Sequence, residues 1–203
     1  VFVSLGARHW KTWLHTIRAL YTTEFGAGPV KYAGSGTLDG YYYYKFRGEA
    51  YAAYQLGDFS PFIGFGYRWL YDDGGGLTTS TGHSSYDRQS QYFYVPVGGI
   101  YRFTDDLLVK GQFNYLIYGL QTSFLSDIAG YSDIDNDQNE GWGVDLTIDY
   151  RVTKNIGVHT FFRYWDIKDS DLSLGLINGQ PAFLAMEPHN HTVEAGLGVS
   201  YKF

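Results

Sequence analysis

Three aspartates at alternate positions form the first group of side chains that could do chemistry. Asp133, Asp135 and Asp137 reproduce the D-x-D-x-D spacing of a calcium-binding loop, whose carboxylates supply the oxygen ligands that Ca²⁺ prefers. The glycine expected after the third aspartate is replaced by Gln138, and the twelfth position, which should hold a glutamate, is Val144. The spacing makes the three aspartates metal candidates, and an acidic solvated loop is the competing interpretation.

Two histidines near the C-terminus form a second group. His189 and His191 are two residues apart, so their imidazoles share one face of a strand, and Glu187 is nearby. Imidazole and carboxylate are both zinc ligands, but a zinc site takes three or four protein ligands. Histidines at a strand end without a metal are the competing interpretation.

A third group could supply a nucleophile and its base. His83, Ser84 and Ser85 follow Gly82, and Asp87 comes two residues later. A serine activated by a neighbouring histidine is an arrangement used in nucleophilic catalysis. Motifs this short arise often by accident, so a polar loop is the preferred interpretation.

Most other ionisable side chains lie in tracts where apolar and polar residues alternate. From Trp142 to Val152 every second residue is apolar or aromatic, and Asp145, Asp149 and Arg151 fall between them. A period of two places the two kinds of side chain on opposite faces of a β-strand. Eight such tracts are predicted as strands, at about 1–10, 41–56, 61–73, 88–103, 106–121, 140–152, 155–168 and 190–203.

The connections between the predicted strands alternate in length. Short turns are expected at 55–61, 103–106 and 152–155, and long connections at about 11–40, 74–87, 122–139 and 169–189. If successive strands are antiparallel, all short turns fall on one rim and all long connections on the other. Both chain ends are then expected at the short-turn rim.

The first long connection contains a run with helical spacing. Its apolar residues recur every three or four positions, and they are Trp10, Trp13, Leu14, Ile17, Leu20 and Tyr21. An amphipathic helix is slightly favoured here over a continuation of the first strand, because the glycine-rich run that follows is typical of a loop.

Side-chain volume indicates which face of the predicted sheet turns inward. The chain contains 20 Tyr, 14 Phe and 5 Trp, whereas an eight-stranded barrel has an interior only wide enough for side chains to fill. We therefore expect the aromatic face outside and the charged face inside, where both signs must pair. The expected interior charges are Arg8, Lys45, Arg47, Glu49, Arg68, Lys110, Asp145, Asp149, Arg151, His159, Arg163, Glu194 and Lys202.

The composition argues against several other classes of protein. No stretch of about 18 apolar residues is present, so no transmembrane helix is expected. The absence of cysteine excludes disulfides and thiol chemistry, and the net charge of −6 argues against nucleic-acid binding. No signal peptide is visible, so we expect a mature or trimmed chain that forms a single domain, 1–203.

The chain resembles the small outer-membrane β-barrel proteins of Gram-negative bacteria, the OmpA-like and OmpX-like group. The resemblance covers nearly the whole chain and is carried by SPFIGFGYRW (60–69), YFYVPVGGIYRF (92–103), NIGVHTFFRYWDIKDSD (155–171) and VEAGLGVSYKF (193–203). The last segment, with Tyr201 and Phe203, looks like the C-terminal signal read by the barrel-assembly machinery. The resemblance implies an eight-stranded antiparallel up-and-down transmembrane β-barrel in the outer membrane.

The family resemblance does not select a function, because this group includes structural anchors, adhesins, channels and lipid-modifying enzymes. We expect a non-enzymatic protein without a cofactor, in a structural or surface-binding role. Its expected partners are outer-membrane lipid and lipopolysaccharide, the assembly machinery, and an extracellular or membrane protein. One alternative is transport of small solutes or hydrophobic compounds. Another is a lipid A-modifying enzyme, for which His159 and Thr160 are the nearest local match.

Overall fold

The computed structural model describes residues 3–12, 17–33 and 36–201, and it leaves the side chains of residues 4 and 8–12 undescribed. The described chain has one 3-10 turn, Leu125–Asp127, and no helix in it is long and apolar enough to cross a membrane. All other elements are strands: β1 (Val3–Thr12), β2 (Ile17–Ala33), β3 (Thr37–Tyr54), β4 (Phe59–Asp73), β5 (Asp87–Arg102), β6 (Leu107–Phe124), β7 (Ile134–Asp137), β8 (Gly141–Arg151), β9 (Ile156–Ile167), β10 (Ser173–Ile177), β11 (Gln180–Ala185) and β12 (Asn190–Tyr201).

Most of these strands form one antiparallel meander in the order β1-β2-β3-β4-β5-β6-β8-β9-β12. β7 pairs with the end of β6, while β10 and β11 form a separate hairpin. The sheet curls until strands that are far apart in this order meet: side chains of β3 reach β8 and β12, and a side chain of β2 reaches β9. The predicted all-β, antiparallel up-and-down architecture is therefore confirmed.

The predicted number of eight strands is wrong, because the long connections contain strands of their own. β2 lies in the expected connection 11–40, β7 in 122–139, and β10 and β11 in 169–189. β2 has 17 residues, nearly as many as the 18 of β3, and pairs with β3 from Ile17, opposite Tyr54, to Ala33, opposite Thr37.

The helix expected in the first connection is also wrong wherever the chain is described. Trp10 lies in β1, and Ile17, Leu20 and Tyr21 lie in β2, whereas Trp13 and Leu14 fall outside the described residues. The neighbours Leu20 and Tyr21 are buried and exposed in turn, as a strand requires. β2 pairs with β1 on one side and β3 on the other, so its backbone N–H and C=O groups are hydrogen-bonded on both sides. This pairing outweighs the local preference for a helix that the spacing of apolar residues indicated.

The two rims of the sheet differ in the length of their connections. Residues 55–58, 103–106 and 152–155 form the short-turn rim, as predicted. The long connections 74–86, 125–140 and 168–189 lie at the opposite rim, where β2 and β3 are also joined by only three residues. Because β2 adds a strand, β1 starts at the long-connection rim, where Val3 pairs with Ala27, while β12 ends with Tyr201 at the short-turn rim. For the described chain, the expectation that both ends share one rim is wrong.

β8 illustrates how the sheet sorts its side chains between the two faces. Trp142 and Leu146 are 37% and 45% exposed, whereas Asp145 and Thr147 are 7% and 8% exposed. The other long strands alternate in the same way, with aromatic and aliphatic residues on the convex exterior and charged residues on the concave interior.

Two apolar clusters lie in the interior, one on each side of the charged side chains. The cluster towards the long-connection rim contains Tyr92, Tyr94, Leu116, Trp165 and Ile167, and the one towards the short-turn rim contains Leu20, Tyr51, Ala53 and Phe62. Glycine makes room for these rings, since a Cβ on Gly66 would overlap the Tyr94 ring. The charges are therefore shielded from water at both ends.

Candidate functional site

Charged side chains from seven strands meet in the middle of the interior, and we call them the interior charge network. Five are cationic and four are anionic, so the network is close to neutral. Its members are Glu24, Lys45, Arg47, Glu49, Arg68, Lys110, Asp145, Arg163 and Glu194.

Arg47 of β3 is the centre of the network. Its guanidinium donates two parallel hydrogen bonds across the interior to Asp145 of β8, from Nη1 to Oδ1 at 2.9 Å and from Nη2 to Oδ2 at 2.6 Å. Its Nη2 also donates to Glu49 Oε1 at 2.6 Å, and its Nε donates to the Tyr94 hydroxyl at 2.9 Å. A bidentate arginine–carboxylate pair is among the strongest hydrogen-bonded contacts available to a protein.

A second set of ion pairs joins the strands near the two ends of the meander. Lys45 Nζ lies 3.0 Å from Glu24 Oε1 and 2.7 Å from Glu194 Oε2, linking β3 to β2 and β12. Arg163 Nη2 lies 2.6 Å from Glu24 Oε2, and its Nε lies 3.2 Å from Asp145 Oδ1. Arg163 therefore connects this set to the pair of Arg47 and Asp145.

Neutral side chains satisfy the remaining polar atoms of the network. Glu49 accepts hydrogen bonds from the Tyr51 hydroxyl and from Gln112 Nε2, and Asp145 Oδ2 accepts one from Asn114 Nδ2 at 2.6 Å. Each carboxylate of the network thus has at least two donors. Full satisfaction is the condition under which charges are tolerated away from water.

One small gap lies among the side chains of the network. A gap between Lys45, Arg68, Arg163 and Trp165 has a volume of about 10 Å³, which is roughly the room that one water molecule needs. Arg68 fills the space beside it, with its guanidinium 5.2 Å from the centre of the Trp165 ring.

The structure brings together most of the charges predicted for the interior. Lys45, Arg47, Glu49, Arg68, Lys110, Asp145, Arg163 and Glu194 all belong to the network. Asp149 and His159 are cross-strand partners that also face inward, closer to the short-turn rim. The side chain of Arg8 and the whole of Lys202 and Phe203 lie outside the described residues, and Tyr201 is exposed on the exterior.

The assignment of Arg151 to the interior is wrong. This residue is the last of β8, where the strand reaches the exposed turn, and its Nε donates to Asp106 Oδ1 at 2.7 Å. Its Nη2 donates to the backbone carbonyl of Asp105 at 2.6 Å. Alternation predicts the face of a residue correctly but not whether the sheet still encloses it at the strand end.

Glu24 is the network member that the sequence analysis missed, because it falls in the expected first loop. The available signal was the alternation in β2, where Thr22 and Glu24 fall between Tyr21, Thr23 and Phe25. The helical spacing of the preceding apolar residues masked it. Tyr94, Gln112 and Asn114 were missed because neutral partners of buried charges have no sequence signature.

The D-x-D-x-D stretch does not gather its carboxylates. Asp135 and Asp137 lie in β7, accept hydrogen bonds from Thr122 and Tyr118 of β6, and project from the strand two residues apart. Asp133 accepts a hydrogen bond from the backbone N–H of Ser126 instead. In this part of the chain, which is fully described, the converging oxygens of a calcium loop are not assembled.

The loop with His83 and Ser84 does not assemble a nucleophile and base either. The Asp87 carboxylate, expected to assist, accepts hydrogen bonds from the Tyr71 hydroxyl at 2.6 Å and the Gly75 N–H at 2.5 Å. The described hydrogen bonds of His83 are made by its backbone, with Thr79.

The two C-terminal histidines do form a cluster, but with a different carboxylate from the one expected. Glu187 is buried and pairs with Arg88, 2.5 Å away. Asp166 takes its place, with Oδ1 3.0 Å from His189 Nε2 and Oδ2 3.4 Å from His191 Nδ1. We call Asp166, His189 and His191 the rim cluster.

The exterior face has a layered composition of its own, which we call the exterior band. Aliphatic, small and phenylalanine side chains, such as Ala50, Phe65 and Leu146, occupy the middle of the strands. Tyrosines and tryptophans lie above and below them: Tyr42, Tyr44, Trp69, Tyr71, Trp142 and Tyr164 towards the long-connection rim, and Tyr54, Tyr101, Tyr150 and Tyr201 towards the short-turn rim.

Comparison with known proteins does not identify a family for this chain. No protein-family model matches it, and a search of curated proteins finds no match. Its function is therefore inferred from the interior charge network, the exterior band and the rim cluster.

The first prediction compares a buried with an exposed ion pair. Asp145→Asn removes the charge partner of Arg47 and Arg163, and we expect the free energy of unfolding in urea to fall by about 3–5 kcal/mol. Asp106→Asn is the matched control, since its pair with Arg151 is exposed and should contribute at most about 1 kcal/mol. Equal losses in the two variants would contradict the account of a desolvated network.

Proposed function

We propose that this protein is an outer-membrane β-barrel protein with a structural or surface-binding role and an interior closed by its charge network. The observation that carries the proposal is the inverted polarity of the fold. A protein folded in water buries apolar side chains and leaves most charged ones exposed. This chain buries Arg47, Glu49 and Asp145, while large side chains such as Phe65, Tyr115 and Leu146 are exposed on the exterior.

The dimensions of the exterior band support a bilayer as its surroundings. Tyr44 and Tyr54 are ten residues apart on β3, which is about 33 Å along the strand. With the tilt of about 40° that is usual for membrane barrels, this becomes about 25 Å across the membrane, the height of the apolar band in such proteins. Aromatic girdles at both edges of an apolar band are typical of membrane interfaces.

The strand lengths and pairing support the same surroundings. Every strand of the meander has at least 10 residues, and a tilted strand needs about 9–11 residues to cross a bilayer. Neighbouring strands satisfy each other's backbone groups along these lengths. Hydrocarbon requires the same of the edge strands, so the proposal includes pairing of β1 with β12, which close the sheet into a barrel. We assign no catalytic step to the protein, because its candidate nucleophile and base are not assembled.

The surface-binding part of the proposal rests on the long-connection rim. This rim carries the β10–β11 hairpin, the short strand β7 and the connection between β4 and β5, whereas the turns described at the opposite rim, 55–58, 103–106 and 152–155, have four residues each. The hairpin exposes Leu174 and Leu184, and Leu172 is exposed just before it. In outer-membrane barrels the longer loops face the outside of the cell, so this rim would be the one displayed to partners.

The second prediction tests membrane insertion. Leu146→Arg places a charge at the middle of the exterior band, and we expect it to lower the free energy of unfolding from lipid vesicles by about 2–4 kcal/mol. Val152→Arg is the control, because Val152 is also exposed but lies in a turn, where a charge should cost about 0–1 kcal/mol. If both variants are neutral, the exterior faces water and the proposal fails.

The third prediction concerns the closed interior and separates the proposal from the transport alternative. In a planar lipid bilayer the protein should show no steady ion conductance, because the network fills the interior and each of its charges has a partner. A reconstituted porin measured in the same bilayer serves as the positive control. A large and stable single-channel current from this protein would instead favour a transport channel.

A further inference from the structure

The rim cluster joins two neighbouring strands and a loop on the exterior face of the sheet. Asp166 of β9 and His191 of β12 are direct partners in the ladder between these strands, and both belong to the outward set. His189 lies just before β12, and its ring is edge-on to that of His191, with 4.4 Å between the ring centres. The backbone pairing therefore fixes two of the three side chains against each other.

The distances within the cluster match those around a small metal ion. Ligands bound at 2.0–2.1 Å to a tetrahedral zinc ion are about 3.3 Å from one another. The two separations from the Asp166 oxygens to His189 Nε2 and His191 Nδ1 are 3.0 and 3.4 Å, and all three ligand atoms lie within 4.8 Å of one another. Both imidazoles are partly exposed, which leaves their rings room to turn towards a shared ion.

The cluster differs from the other acidic groups of the described chain. It is the one group of three or more histidine and carboxylate side chains whose ligand atoms converge there. Its two imidazoles carry no negative charge, so the cluster avoids the mutual repulsion of an all-acidic group, and imidazole favours zinc, copper and nickel over the hard ions calcium and magnesium.

We infer that Asp166, His189 and His191 bind one divalent transition-metal ion, through a carboxylate oxygen, Nε2 and Nδ1 respectively. Lys168 Nζ now lies 3.1 Å from Asp166 Oδ1, and the ion would take the place of this exposed ammonium. Three protein ligands leave a coordination position open to water or another small ligand. The site would link β9, β12 and the long connection between them, and it does not depend on membrane insertion.

Zinc titration of the untagged, detergent-purified protein tests this inference. Calorimetry should give one Zn²⁺ per chain, and the thermal unfolding midpoint should rise with Zn²⁺ concentration, because the ion binds only the folded state. His189→Asn, His191→Gln and Asp166→Asn should each weaken binding by about tenfold or more, given that even indirect ligand contacts are worth 10–100-fold in metal affinity. Excess Ca²⁺ or Mg²⁺ should not displace the zinc.

Two results would overturn the inference. One is the absence of stoichiometric zinc binding by the unsubstituted protein. The other is binding that persists unchanged in the three variants, which would place the ion elsewhere. His83→Gln is the matched control, since His83 is an exposed loop histidine outside the cluster, and its substitution should leave zinc affinity unchanged. Unaltered circular dichroism of the variants shows that lost binding does not reflect lost folding.

Discussion

The ion pair between Arg47 and Asp145 is the contact on which the rest of the structure depends. It spans the interior from β3 to β8, which are separated by three strands in the meander, so it can form only if the sheet curls. Glu24 and Glu194 extend the same constraint to β2 and β12. Charged side chains removed from water must be paired, and here each one has an oppositely charged partner on a different strand of the curled sheet.

Because charged side chains fill the interior, most of the aromatic side chains must lie on the exterior. A narrow interior that already holds the network and two apolar clusters has no room for the remaining aromatic side chains. They lie on the convex face, where alternation with the charged residues places them. We propose that this face lies in apolar surroundings, and the network and the exterior band are then two consequences of one alternating sequence.

The alternation made much of this fold predictable. In β8 a period of two assigned Asp145 to the interior and Leu146 to the exterior without reference to any other strand. The prediction from sequence was wrong where two patterns overlapped. In β2 the helical spacing of the apolar residues concealed both the strand and the inward position of Glu24. The prediction was wrong again at Arg151, because enclosure depends on where the sheet ends. Asp166 was missed as a partner of His191 because cross-strand register is a property of the folded sheet.

The most direct test of the central claim is the accessibility of spin labels along β8. The chain has no cysteine, so single cysteines at positions 142 to 150 can be labelled cleanly after reconstitution in lipid vesicles. The account predicts high accessibility to dissolved oxygen and low accessibility to a water-soluble nickel complex at the even positions, with both low at 145 and 147. High accessibility to the nickel complex at positions 144, 146 and 148 would show that the exterior faces water and would contradict the account.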